Sequence, residues 1–209
     1  MELYKTIGQD AEETQIIEKS KFIAHAKPVQ TREEAEAFIA EIRSKYKDAT
    51  HNVPAMVLGD KMQIQWASDD GEPQGTSGAP MVQLLVGQGI TNVVVVVTRY
   101  FGGIKLGTGG LVRAYTSSAK LAVESAGICS VQEVIIMKVK TDYTHLAKFQ
   151  QMSGELFTIQ NIEYTDKVEL AIMTQPEREE SVRELVANIT SGSAEISEVE
   201  RSLEKVYPR

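Results

Sequence analysis

Residues 93–97 are five consecutive valines, set in the stretch TNVVVVVTRY (91–100). β-Branched side chains favour extended backbone, and a strand that is apolar at every position has to be covered on both faces. The run is therefore expected to be a central strand of its sheet. It leads directly into FGGIKLGTGGLVRAY (101–115), a loop carrying Gly102, Gly103, Gly107, Gly109 and Gly110, followed by helical spacing through GLVRAYTSSAKLAVESAG. In that helix Leu111, Ala114, Tyr115, Ser118, Leu121 and Ala122 fall along one side, and Gly127 is placed to end it.

Upstream, TQIIEKSKFIAHAKPV reads as two strands and TREEAEAFIAEIRSKY as an amphipathic helix. Thr31 is its N-cap with Glu34 three residues on, and Ala35, Phe38, Ile39 and Ile42 lie on one face. VPAMVLG and MQIQWAS, separated by Gly59-Asp60-Lys61, suggest a hairpin. The polar loop SDDGEPQGTSGAP then leads into a short helix near PMVQLLVGQG.

Beyond Gly127 the pattern changes to strand, helix, strand, strand, helix, strand, the βαββαβ order of a ferredoxin-like domain. Residues 131–209 carry 9 basic and 14 acidic side chains, against 13 and 15 for residues 1–130. An α+β protein of two domains is expected, 1–130 and 131–209, with the boundary near AGICSVQE.

Net charge is −7, which argues against indiscriminate nucleic-acid binding, yet the average hides a local exception. From Pro73 through Val123 there is no Asp or Glu, while Arg99, Lys105, Arg113 and Lys120 all lie inside that interval. Glycines that let backbone N–H groups approach a ligand, a helix start and fixed cations together describe an anion cradle. It is neither a Walker loop, since no G-K-[ST] closes it, nor a dinucleotide fingerprint, since no acid lies about twenty residues on. The competing explanation for the glycines is tight packing between strand and helix. Tyr100, Phe101 and Tyr115 offer either stacking surfaces or core rings.

Asp69, Asp70 and Glu72 form an accessory polar group, fit either to hold a hard cation or to serve as turn chemistry. His51 is a candidate general base with no identifiable nucleophile beside it, and is equally explained as a hydrogen-bonded structural residue. One cysteine, Cys129, excludes an internal disulfide and is read as inert, and His25, His51 and His145 have no ligand spacing. No cofactor, metal or catalytic residue is expected. No stretch approaches eighteen apolar residues and MELYKTIGQDAEE is unlike a signal peptide, so a cytoplasmic location without membrane contact is expected.

KFIAHAKPV, DATHNVPAMVLG, SDDGEPQGTSGAPM and VVVVVTRYFGGIKLGTGGLVRAY, in this order over about residues 12–125, resemble the signature of the IMPACT/YigZ family. The resemblance implies a first domain of the ribosomal protein S5 domain 2-like fold and a second shaped like the last domain of elongation factor G. Eukaryotic IMPACT relatives act in translational control through competition for a kinase activator. That contact belongs to an additional N-terminal domain, so the kinase role is not expected here. What is expected is a non-enzymatic regulator associated with translation, engaging RNA or the ribosome through Arg99, Lys105, Arg113 and the glycine loop. The alternative is an enzyme or sensor for a small phosphorylated metabolite or nucleotide. Small-molecule kinases of the GHMP superfamily, which share the S5-like fold, resemble this chain only loosely in their phosphate loop. A protein partner on the second domain is the third expectation, since its acidic balance disfavours RNA there.

Overall fold

The structure is a computed structural model and describes residues 2–207. The chain forms two compact units: Leu3–Val131 with the segment that begins at Lys205, and Gln132–Glu204 with Glu2.

In the first unit β2 (Ala11–Ile17), β3 (Ser20–Pro28), β4 (His51–Leu58), β5 (Ile64–Ala67) and β6 (Val93–Tyr100) form one sheet in the order β2-β3-β6-β4-β5. All four pairings are antiparallel, and the valine strand β6 is central. Its odd residues Val93, Val95 and Val97 share a core with Phe22, Met81, Leu85 and Tyr115, on the side of α2 (Gly78–Gly87) and α3 (Gly107–Ser125). The even residues Val94 and Val96 pack with Phe38, Ile39 and Ile42 of α1 (Arg32–Lys45). Two helical layers thus account for a strand with no polar face.

Thr31 caps α1 by accepting the Glu34 N–H at 3.2 Å, and the Glu34 carboxylate reaches back to the N–H of Gln30 at 2.7 Å. The start of α2 is capped by Asp69, whose Oδ1 accepts the N–H groups of Ser77 (3.2 Å) and Gly78 (3.0 Å). The third helix, α3, begins at Gly107, three residues before the uninterrupted helical spacing, so Gly107, Gly109 and Gly110 belong to its first turn. Its buried stripe drifts to include Ala119 and Val123, while Leu121 is 41% exposed. Past its end Gly127 takes a positive φ of 75° and donates its N–H to the Glu124 carbonyl. A strand that the pattern did not indicate, β1 (Glu2–Ile7), lies in the polar amino-terminal stretch and pairs with β7 (Ile128–Thr141).

The second unit contains the remainder of β7, α4 (Tyr143–Met152), β8 (Thr158–Tyr164), β9 (Val168–Thr174), α5 (Glu179–Thr190) and β10 (Glu195–Val206). Its strands lie in the order β10-β7-β9-β8, fourth, first, third and second in sequence. Val168, Leu170 and Ile172 of β9 alternate inward onto Phe149 of α4 and Val182 and Val186 of α5. The division between units falls inside β7. The segment from Lys205 groups with the first unit, where the Lys205 ammonium donates to the carbonyls of Ile7 and Gly8, both at 3.1 Å.

Candidate functional site

The odd-residue face of β6 runs Val93, Val95, Val97 and then Arg99, so the strand carries a guanidinium to the edge of the core beside α3. Arg99 is 5% exposed. Its Nη1 donates to Glu72 Oε1 at 2.6 Å and its Nη2 to Ser20 Oγ at 3.3 Å, whereas its buried Nε has no partner. Two rings lie close to the cation, Phe22 at 5.4 Å and Phe101 at 5.5 Å. Arg99 is therefore a fixed charge inside the fold and not a mobile phosphate ligand.

Glu72 arrives from the loop after β5, and how that loop is held explains why. Asp69 gathers its own turn: besides the two α2 amides, it accepts the Ser77 hydroxyl at 2.7 Å and the Gly75 N–H at 2.8 Å. Burial opposes its ionisation, but the bonds from Gly75, Ser77 and Gly78 outweigh this and hold its pKa below the ordinary value. Asp70, with a positive φ of 49°, accepts the Asn52 N–H at 2.7 Å and pairs with Arg43 at 2.9 Å. Both aspartates act as turn chemistry, and their oxygens are taken by protein donors. Among the described residues no group of three His, Cys, Asp or Glu side chains could hold a metal ion.

The loop so fixed buries Glu72 to 8% exposure, and its Oε1 also accepts the Tyr115 hydroxyl at 2.7 Å. Burial, then the bond to Glu72, pushes the Tyr115 phenol far above its usual range, so it is permanently a donor. His51 donates from Nδ1 to the Asp70 carbonyl at 2.7 Å and sets Nε2 3.8 Å from Glu72 Oε2. The acidic loop is consequently joined to β6 and α3 through Glu72, which binds Arg99 and Tyr115; among the described residues no hydrogen bond or ion pair joins Asp69 or Asp70 to Arg99, Lys105 or Arg113.

Beside this network lies a cavity of about 380 Å³, walled by Glu72, Pro73, Arg99, Phe101, Leu106 and Leu111. Lys105 and the first turn of α3, at Gly107 and Thr108, complete its rim. That turn has no side-chain cap and no acidic residue, whereas α1 has the Thr31 cap with Glu33 and Glu34 in its first turn and α2 has Asp69 on its leading amides. Gly107, Thr108 and Gly109 are exposed there, and the first amides of a helix have no partner within it and carry the positive end of its dipole.

The other expected residues separate into two groups. Lys105 and Arg113 are exposed and make no ion pair among the described residues, though Arg113 does not line the cavity. Tyr100 is half-buried with its hydroxyl donating to Asp48 at 3.0 Å, and Tyr115 is fully buried, which leaves Phe101, 48% exposed, as the available ring. Gly102 is structural: its N–H bonds Ser20 Oγ at 3.2 Å, and a Cβ there would run into the backbone of Lys19 and Ser20. Gly109 has no positive φ and only open space where a Cβ would stand; Gly103 and Gly107 are exposed at positive φ, 87° and 70°, and a Cβ on the half-buried Gly110 would stand 3.0 Å from that of Leu106. Cys129 is buried, and burial pushes its thiol pKa up. Tyr115 and Ser20 as partners of this network were not foreseen; a phenol on an otherwise apolar helical stripe was the available signal.

The Impact N-terminal domain model matches residues 18–123, and a domain of unknown function, DUF1949, matches 139–193. The IMPACT family member YvyE of Bacillus subtilis (strain 168) is 39% identical over 94% of this chain and 91% of its own length. YigZ of Escherichia coli (strain K12), another IMPACT family member, is 39% identical over 66% of each chain. A solved structure described as that of a hypothetical protein is 31% identical, covers 96% of this chain and 98% of its own, and superposes with a TM-score of 0.59.

Proposed function

Because the chain belongs to the IMPACT family, we propose that it is a non-enzymatic regulator associated with translation, which engages the phosphates of RNA or the ribosome at the start of α3. The observation that carries this is the exposed, uncapped first turn of that helix, flanked by Lys105 and Arg113, neither of which is committed to a carboxylate among the described residues. An ion-paired surface lysine gives up that pairing when it meets a phosphate; these two side chains do not. The interval from Pro73 to Val123, which holds the start of α3, carries no acidic residue of its own.

The test uses the full chain with Lys105 and Arg113 both replaced by alanine, leaving Arg99 in its ion pair. Affinity for single-stranded RNA and for ribosomes is measured against salt concentration. Each phosphate contact to a single strand contributes about 0.7 to the slope of log K against log salt, so the double variant is expected to lose about 1.4 with most of its affinity. An unchanged affinity and slope in a folded double variant would remove the proposal.

A further inference from the structure

The cavity beside α3 has a composition that phosphate binding does not require. A site for phosphate alone needs donors; this one adds an apolar wall of Pro73, Leu106 and Leu111, and an aromatic ring, Phe101, that is half exposed at its edge. Its volume of about 380 Å³ falls in the range of small-molecule sites, roughly 300–1,000 Å³. Buried polar groups also reach it. Arg99 and Glu72 both line it; the Arg99 Nε is buried without a partner, and the Glu72 carboxylate is held by Arg99 and Tyr115. The lining thus combines apolar side chains and an aromatic ring with a carboxylate, a lysine and the uncapped start of α3.

We propose that the cavity seats a nucleobase, with Phe101 stacked on its face, while Lys105 and the first turn of α3 take the phosphate of the same nucleotide. This rests on the reading of the loop as a phosphate-binding segment and extends it from the backbone to the base. The Glu72 carboxylate only accepts hydrogen bonds, so it favours bases that carry an exocyclic amino group, guanine, adenine or cytosine, over uracil. The nucleotide has two sources, a free nucleoside monophosphate or an unstacked residue of single-stranded RNA.

The experiment titrates the full chain with GMP, AMP, CMP, UMP and inorganic phosphate, and with single-stranded oligonucleotides, in wild type and in Phe101→Ala. Phe101 is exposed, so its removal leaves the core intact. Stacking on one aromatic ring is expected to be worth roughly 5- to 100-fold in affinity, and Phe101→Ala should lose this with an unchanged salt slope, since no phosphate contact is removed. The amino-bearing bases should bind about tenfold tighter than uracil, the value of one hydrogen bond to a charged group. If inorganic phosphate binds as tightly as GMP, or if Phe101→Ala binds RNA and mononucleotides like wild type, the base seat is overturned while RNA association through Lys105 and Arg113 stands. If mononucleotides bind with dependence on Phe101 and RNA does not bind, the seat stands and the RNA-binding function falls. Binding of neither overturns both.

Discussion

Replacing Glu72 by glutamine removes one negative charge and almost no volume, and the structure sets what that should cost. The Arg99 guanidinium, 5% exposed, has Glu72 Oε1 at 2.6 Å as its one carboxylate contact among the described residues. Losing it leaves a buried positive charge uncompensated, which costs about 3–5 kcal/mol. Tyr115→Phe in the same network removes one hydrogen bond to a charged acceptor, about 1.5–3 kcal/mol, and keeps both the ion pair and the perpendicular packing of Tyr115 on Phe22 at 5.4 Å. Glu72→Gln should therefore be the worse of the two, and the double variant less than additive, because an amide oxygen accepts from Tyr115 more weakly than a carboxylate does. Replacing Glu72 and Arg99 together by methionine should cost less than Glu72→Gln, as buried pairs exchanged for apolar side chains often do. Trp66, the single tryptophan, lies in β5 of the first unit, so urea unfolding followed by its fluorescence reports that unit. With a slope of about 1–3 kcal/mol per molar urea, the Glu72→Gln midpoint should fall by roughly 2 M. A midpoint shift corresponding to less than about 1 kcal/mol, or a double methionine variant as unstable as Glu72→Gln, would show that the buried pair does not stabilise the loop through charge compensation as argued.

The glycines of the loop should divide by function: Gly102→Ala is expected to destabilise by about 2 kcal/mol or more through its clash with the Lys19 carbonyl. Gly109→Ala should stabilise by about 0.4–1 kcal/mol while weakening RNA binding, and unfolding midpoints beside binding isotherms decide both. His25 is buried against Glu12 at 3.2 Å, and burial, with Lys45 adding to it and Glu12 opposing, pushes its pKa below the ordinary value. The unfolded chain thus binds the proton first, so stability is complete above about pH 6.5 and declines as pH falls below it toward the folded pKa; His25→Gln should flatten that limb of the urea midpoint between pH 7.5 and 5.5, and an unchanged slope would refute the assignment.

What could be read from residues alone followed how strongly local chemistry constrains each element. The valine strand, the capped helix α1 and the βαββαβ order were legible because periodicity and capping act over a few residues. The start of α3 was placed three residues late, since three glycines in the first turn erase the propensity signal while leaving the amide geometry intact. Arg99 is marked as a ligand-binding cation by the basic, acid-free interval in which it stands. Its position, two residues beyond Val97 on the same face, was the better guide and points into the core. The meeting of Glu72 with Arg99 and Tyr115 joins residues 27 and 43 positions apart, and no local pattern encodes such a distance. Strand β1 has a polar sequence whose pairing depends on a partner more than a hundred residues away.

Five identical side chains in a row create an ambiguity for the folding chain. A slip of one residue ordinarily turns an apolar face outward and is rejected for that reason, but here valine replaces valine on either face, and the hydrophobic gain barely distinguishes neighbouring pairings of β6 with β3 and β4. The choice falls to the two residues that end the run. In the native pairing Thr98 donates to Asn52 at 2.7 Å on one face, and Arg99 meets Glu72 on the other. A shift of one residue exchanges those faces, and a shift of two carries the guanidinium into the place of Val97, opposite Ala24 and Val53, both fully buried and without a counter-charge. The ion pair thus serves as an alignment key for the sheet, and a variant with Arg99 and Glu72 both made apolar should fold through a wider set of misaligned pairings, visible as added slow phases in refolding even where its final stability is preserved.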